Sequence, residues 1–158
     1  MLPDSQFLAA LEALPLVSID LCLVDPQQRL LLGKRLNRPA RGWWFTPGGR
    51  IRKNEPWQQA FSRIASEEVG LTVTGELDAQ LMGIWDHFYQ DSALDENVST
   101  HYVNLPHFIK LSQYQADNLA LPHDEQHGEY CWMGLEEAIQ HENVHEYVKK
   151  YAHWIKEQ

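Results

Sequence analysis

Cysteine is scarce in this sequence: Cys22 and Cys131 are the only two in 158 residues. They form no CxxC pair, and both fall in apolar, strand-like segments. That reads against a disulfide framework and leaves no CxxC metal spacing, and two buried thiols in a cytosolic protein are expected. Long apolar runs are missing as well, since none approaches the ~18 residues of a membrane span. The opening stretch MLPDSQFLAALEAL carries acids and no basic leader, which reads against a signal peptide. The sequon Asn97-Val98-Ser99 therefore carries no weight. Positive charge is the third shortage. Thirteen Lys and Arg stand against 22 Asp and Glu, a net charge of −9, the opposite of what a duplex nucleic-acid binder needs. No repeat, low-complexity tract or Pro/Gly/Ser-rich linker is visible. Residues 1–158 thus read as one domain, soluble and cytoplasmic, long enough to bury roughly 70% of its unfolded surface. With 44% hydrophobic and 22% charged residues, disorder is excluded as the main theme.

What is present is ordered by periodicity. A helix is expected from Asp4 or Ser5 to about Leu14, then a hairpin of Leu16–Val24 and Arg29–Gly33 across Asp25-Pro26. Trp43–Phe45 reads as extended and Pro47-Gly48-Gly49 as a turn open to a ligand's approach. Asn54 is a good cap for a helix that has Pro56 in its first turn and stops at Gly70. Long strands are expected at about Ala79–Tyr89 and Ser99–Leu111, loops at Gln90–Val98 and Asp117–Gly128, and a short strand at Glu129–Met133. Helices at Leu135–Gln140 and Val144–Lys156 close the chain. Strands interleaved with helices predict an α/β/α sandwich around a mixed sheet.

Over half of the cations lie in twenty residues: Lys34, Arg35, Arg38, Arg41, Arg50, Arg52 and Lys53, with no acid among them. Such a patch in an acidic chain is either a phosphate site or a solvated basic face. Next to it runs GRIRKNEPWQQAFSRIASEEVGL, from Gly49 to Leu71. Glu67 and Glu68 are adjacent on the predicted helix and so point about 100° apart. Glu68 lines up with Phe61, Ile64 and Ala65 on the protein-facing side, where a carboxylate needs a cation or an arginine. Arg63 precedes Glu67 by one turn on the outer face.

This stretch resembles the Nudix box, G-x5-E-x7-R-E-U-x-E-E-x-G-U, where U is a bulky apolar residue. Gly49, Glu55, Arg63, Glu67, Glu68, Gly70 and Leu71 match it. Ala65 is small where U is expected, and Ile64 stands where the box has Glu, so one carboxylate ligand is lost. Further segments resemble the GDP-mannose mannosyl hydrolase branch of the Nudix family, which has the same defect: PLVSID, LGKRLNRP, WFTPGGR, HFY, THYV and DEQH. The resemblance implies a Nudix fold and hydrolysis of a GDP-sugar by water attack at the anomeric carbon with inversion. It implies one Mg2+, replaceable by Mn2+, on the Gly48 carbonyl, Glu68 and Gln126, an all-oxygen set that suits a hard cation. By the same resemblance His127 is the general base, and Arg35 and Arg50 with Tyr102 receive the leaving diphosphate. It further implies that Arg63 supports the carboxylates or the diphosphate. Asp20 and His87 would meet the sugar or the base. Leu2 and Phe7 would meet the guanosine in a homodimer. His123, just upstream, competes with His127 for the role of base.

Two rival readings stand beside this one: a pyrophosphatase that attacks phosphorus, and an inactive nucleotide-sugar-binding module. His141-Glu142-Asn143-Val144-His145 spells HExxH, but it falls at a helix junction without a third ligand and reads as coincidence. The stripe of Tyr147, Val148, Tyr151 and Trp154 reads as packing. Trp43 and Trp44 are open to either a ligand or a core role.

Overall fold

Alternating apolar residues build a sheet that is covered on both faces. The computed structural model describes residues 2–122 and 127–158, in the case of His127 the backbone alone. Helix α1 (Asp4–Ala13) leads into β1 (Leu16–Val24), whose last seven residues are all buried. Ile19, Leu21 and Leu23 point into one core, under α2 (Trp57–Val69). Cys22 and Val24 point into the other, under α4 (Leu135–Gln140) and α5 (Glu146–Lys156). A strand buried on both sides reads as continuous hydrophobicity rather than alternation, as LVSIDLCLV does. The expected α/β/α arrangement is therefore the observed one, and the free thiols fit it unequally: Cys22 is buried and Cys131 half-buried.

The sheet is mixed. β1 pairs antiparallel with β2 (Arg29–Arg35) and with β4 (Gly48–Arg50), and parallel with both β7 (Thr100–Asn104) and β8 (His107–Lys110). Around this centre, β3 (Trp44–Phe45) and β9 (His127–Gly134) flank β2. β5 (Asp78–Leu81) pairs with β8, and β6 (Trp85–Tyr89) with β7.

Several boundaries differ from the sequence expectation. The strand expected at 79–89 is broken into β5 and β6 at Gly83, whose φ of 128° is open only to glycine. That expected at 99–111 is broken at Leu105-Pro106, where proline has no N–H for the ladder. Asn54 does not cap α2. It sits at φ 65° in the preceding turn, and Pro56 is the N-cap. Gly48–Gly49 is strand β4 rather than a turn. The stretch before residue 118 holds a short helix α3 (Gln113–Asp117), with Ser112 and Gln115 as a capping box. Gly70 ends α2 as expected, at φ 65° and with its N–H on the Ala65 and Ser66 carbonyls.

Candidate active site

β4 lies so close to β1 that only glycine fits. A Cβ on Gly48 would stand 2.5 Å from Asp20 Oδ1 and 2.6 Å from the Ile19 carbonyl oxygen. The next residue faces the other way. A Cβ on Gly49 would meet Ile64 Cγ1 at 3.1 Å, so Ile64, 1% exposed, packs directly on this strand. The position where the box has Glu is thus filled by core hydrocarbon. Glu68, one turn further along the same face of α2, is half-buried, and its Oε2 is shielded from solvent. The Gly48 carbonyl and the Glu68 carboxylate are hard oxygen donors and fit a hard divalent cation. Gln126, the third expected ligand, lies outside the described residues, as does His123.

Asp20 belongs to a buried polar network. Tyr151 of α5 donates its hydroxyl proton to Asp20 Oδ2 at 2.6 Å, and the Tyr151 hydroxyl oxygen also lies 3.1 Å from His87 Nε2 and 3.2 Å from Asn104 Oδ1. Asn104 Nδ2 in turn donates to Ser18 Oγ at 2.7 Å. His87 stacks on Tyr147 with centroids 4.0 Å apart. The structure therefore brings Asp20 and His87 together, but His87 is 2% exposed and backs Asp20 through Tyr151 rather than facing solvent.

Burial pushes the Asp20 carboxyl up to about 6, against the pull of Tyr151, Asn104 and Arg35. Burial pushes His87 down to about 4, helped by repulsion from His145 and Lys150. The two shifts act oppositely on stability. Below its ordinary value of 6.5, unfolded His87 binds a proton that the folded chain refuses, so stability is lost as pH falls toward about 4. Above its ordinary value of 3.8, unfolded Asp20 releases a proton that the folded chain keeps, so stability is lost as pH rises toward about 6. Each slope is at most ~1.4 kcal/mol per pH unit, and over the shared window they cancel. Asp20→Asn is expected to make stability climb more steeply with pH in this window than in the parent, and His87→Asn less steeply. Urea unfolding across the window reads this, and equal slopes in both variants would refute it.

The basic groups divide into two sets. Arg63 is turned inward on its own chain: it meets Glu55 Oε1 at 2.7 Å and Glu67 Oε2 at 3.1 Å, and donates to the Arg50 carbonyl at 2.8 Å. This pins the loop after β4 onto α2 and holds the Glu55 carboxyl down at about 2. Two of its three partners are thus the carboxylates of Glu55 and Glu67. Arg35 and Arg50 are placed otherwise. The Arg50 guanidinium lies 4.3 Å over the Phe7 ring, which brings α1 to the end of β4. Both arginines act electrostatically on Tyr102, and Arg35 also acts on Asp20 and Tyr89. Tyr102 pairs with His87 on one side and with Leu16 on the other. Asp20, Arg35, Arg50 and Tyr102 thus share one end of the sheet. Leu2 is exposed just before α1. His127 opens β9 with its Cα opposite Arg35. The HExxH residues form the connection between α4 and α5, where His141 and His145 are caps.

Tyr151, Asn104 and Tyr89 are given no site role by the sequence reading. Tyr151 was visible there only as one member of the apolar stripe of α5. Its hydroxyl partner is 131 residues away, and no local pattern reports it.

The NUDIX domain family model matches residues 14–155. "Low-salt glycan biosynthesis protein Agl8" of Haloferax volcanii is 37% identical over 150 residues, covering 95% of this chain and 88% of that protein. The fold is similar to the MutT NUDIX hydrolase of Burkholderia pseudomallei (TM-score 0.67, 21% identity, 89% of this chain and 98% of that one). It is also similar to the NUDIX domain of Shewanella oneidensis NrtR, solved in complex with ADP ribose (TM-score 0.66, 18% identity, 99% and 98%). Among the described residues, no helix is long and apolar enough to cross a membrane.

Proposed function

Because this chain belongs to the Nudix family and is a hydrolase of that type acting on a nucleotide-linked substrate, we propose that it hydrolyses a GDP-hexose, GDP-mannose before GDP-glucose. The products are GDP and the free sugar. The observation that carries this reading is Ile64. A carboxylate that a several-metal pyrophosphatase would use is replaced by a side chain packed on Gly49. Attack at carbon asks less of the metal than attack at phosphorus. The glycan-related relative in Haloferax volcanii supports a sugar-bearing substrate.

In this reading the oxygen of water forms a bond to the anomeric carbon as the bond from that carbon to the β-phosphate oxygen breaks. His127 takes the proton from the water, and GDP departs with the bonding electrons, leaving the sugar inverted. Arg35 and Arg50 fork the diphosphate oxygens and Tyr102 donates to them, so the charge that develops on the leaving group is met by fixed donors. Nudix enzymes generally use a divalent metal, typically Mg2+. Here Gly48, Glu68 and Gln126 would hold it, and it would neutralise charge on the diphosphate. Arg63 ties Glu55 to Glu67 of α2, and Asp20, fixed by Tyr151, faces the sugar side. Phe7 and Leu2 meet the guanosine. The enzyme works as a homodimer in the cytoplasm.

Hydrolysis of GDP-mannose in 18O-water tests the proposal. The label is expected in free mannose. Label in a phosphate product would establish a pyrophosphatase instead, and tight binding without turnover would establish a binding module.

A further inference from the structure

A cleft of about 470 Å3 opens beside the end of the sheet that carries Asp20 and Arg35. This is the size of a small-molecule site. Its described walls are two loops, one carrying Arg38, Arg41 and Trp43 and the other Asp91 and Glu96, with Tyr89 joining them to the site described above. Neither Asp20, Arg35, Gly48, Arg50 nor Tyr102 lines it.

The first loop is built rather than loose. Arg35 N–H donates to the Trp43 carbonyl at 3.0 Å, Gly42 N–H to the Arg35 carbonyl at 2.8 Å, and Arg35 Nε to the Pro39 carbonyl at 2.9 Å. The loop holds Trp43 40% exposed on the cleft, with His145 nearly perpendicular to it at 5.5 Å. Arg38 Nη1 reaches Glu96 Oε2 only at 3.9 Å, and Arg38 Nε is buried without an acceptor among the described residues.

The charges cancel: two arginines face two carboxylates. A net-neutral cleft gives no excess attraction to a phosphate or a uronate. Guanidinium and carboxylate groups side by side are matched instead to vicinal hydroxyls, each of which donates and accepts. A half-exposed indole offers an apolar face to the C–H face of a ring. A flat base would want a second ring parallel to Trp43, and its described ring neighbour stands at 79°.

We propose that this cleft binds a neutral pyranose, a saccharide ring additional to the one carried on the diphosphate. Trp43 is its platform, and Arg38 with Glu96 its hydroxyl fork.

The test uses methyl α-mannoside and methyl α-glucoside, titrated into the full chain without nucleotide or metal and followed by saturation-transfer NMR. Binding with a Kd of about millimolar is expected, weakened about tenfold by Trp43→Ala and restored by Trp43→Tyr, which keeps a ring face. Arg38→Gln and Glu96→Gln should each weaken it several-fold, and saturating GDP should leave it unchanged. Trp43 is exposed enough for its truncation to fold, which circular dichroism checks.

Absence of glycoside binding, equal binding by Trp43→Ala, displacement by GDP, or preferential binding of glucuronate, inorganic phosphate or guanosine would each overturn the proposal. Hydrolysis of GDP-mannose without glycoside binding removes this site alone. Glycoside binding without hydrolysis removes the preceding reading alone.

Discussion

His127→Gln is expected to lower kcat for GDP-mannose by roughly 10²–10⁴-fold, the usual contribution of a positioned general base. Binding of GDP should hardly change, because a base that acts on the attacking water makes no contact with the leaving group. The parent rate should fall at acidic pH as the base takes up a proton, since an imidazole ordinarily titrates near working pH. Arg35 stands opposite His127 across β2 and β9, where the register shifts between Lys34 and Arg35. The two residues are therefore delivered to one place by one strand pair but differ in chemistry. A guanidinium keeps its charge throughout this range, so Arg35→Gln should slow the reaction and leave the acid limb where it is. His123→Gln is the comparison that decides between the two histidines. If it abolishes activity and the acid limb while His127→Gln keeps both, His123 is the base.

Ile64→Glu should cost roughly 3–5 kcal/mol, the range for an uncompensated charge in a core. Ile64 is 1% exposed, lies against Gly49, and shares its core with Ile19, Leu21 and Phe61. A carboxylate there would stand among these apolar side chains, one turn from the Glu68 carboxylate. Ile64→Val, which removes one methylene, should cost only about 0.5–1.5 kcal/mol. Urea unfolding of the two variants reads the difference. Restoring the carboxylate of the Nudix box should also give no GMP from GDP-mannose. A variant that stays as stable as the parent, or that releases GMP several-fold faster, would show that this face of α2 still accommodates a metal-ligand carboxylate.

The parts of the fold legible in the sequence are those with local causes. α2 is bounded by Pro56, whose ring fixes φ, and Gly70, which is free to adopt a positive φ, and both effects act where the residues stand. β1 and β2 are announced by apolar runs around a turn. What was hidden depends on partners far along the chain. Nothing in WDHFY says that its histidine is pressed between Tyr147 and Tyr151. The apolar stretches broken at Gly83 and Pro106 look continuous until the sheet demands two separate strands from each. Gly48 and Gly49 read as a turn open to a ligand because glycine usually marks one. Here it marks a strand pressed against Asp20 on one side and Ile64 on the other. The site divides in the same way. Arg63 and Glu67 are helix neighbours and could be paired by counting, whereas the Tyr151 contact to Asp20 required the whole chain to close.

The pairing of β1 also governs the order in which the molecule can assemble. The strand lies near the start of the chain, yet both of its parallel neighbours, β7 and β8, come from residues 100–110. On a ribosome, its seven buried residues wait without those neighbours until residue 110 has been made. Contacts that span such loops form late, after their closure entropy has been met, so folding should be slow for the chain's length. During synthesis the exposed edge of β1 is the segment most open to pairing with another chain, and a chaperone that shields early apolar strands would act there first.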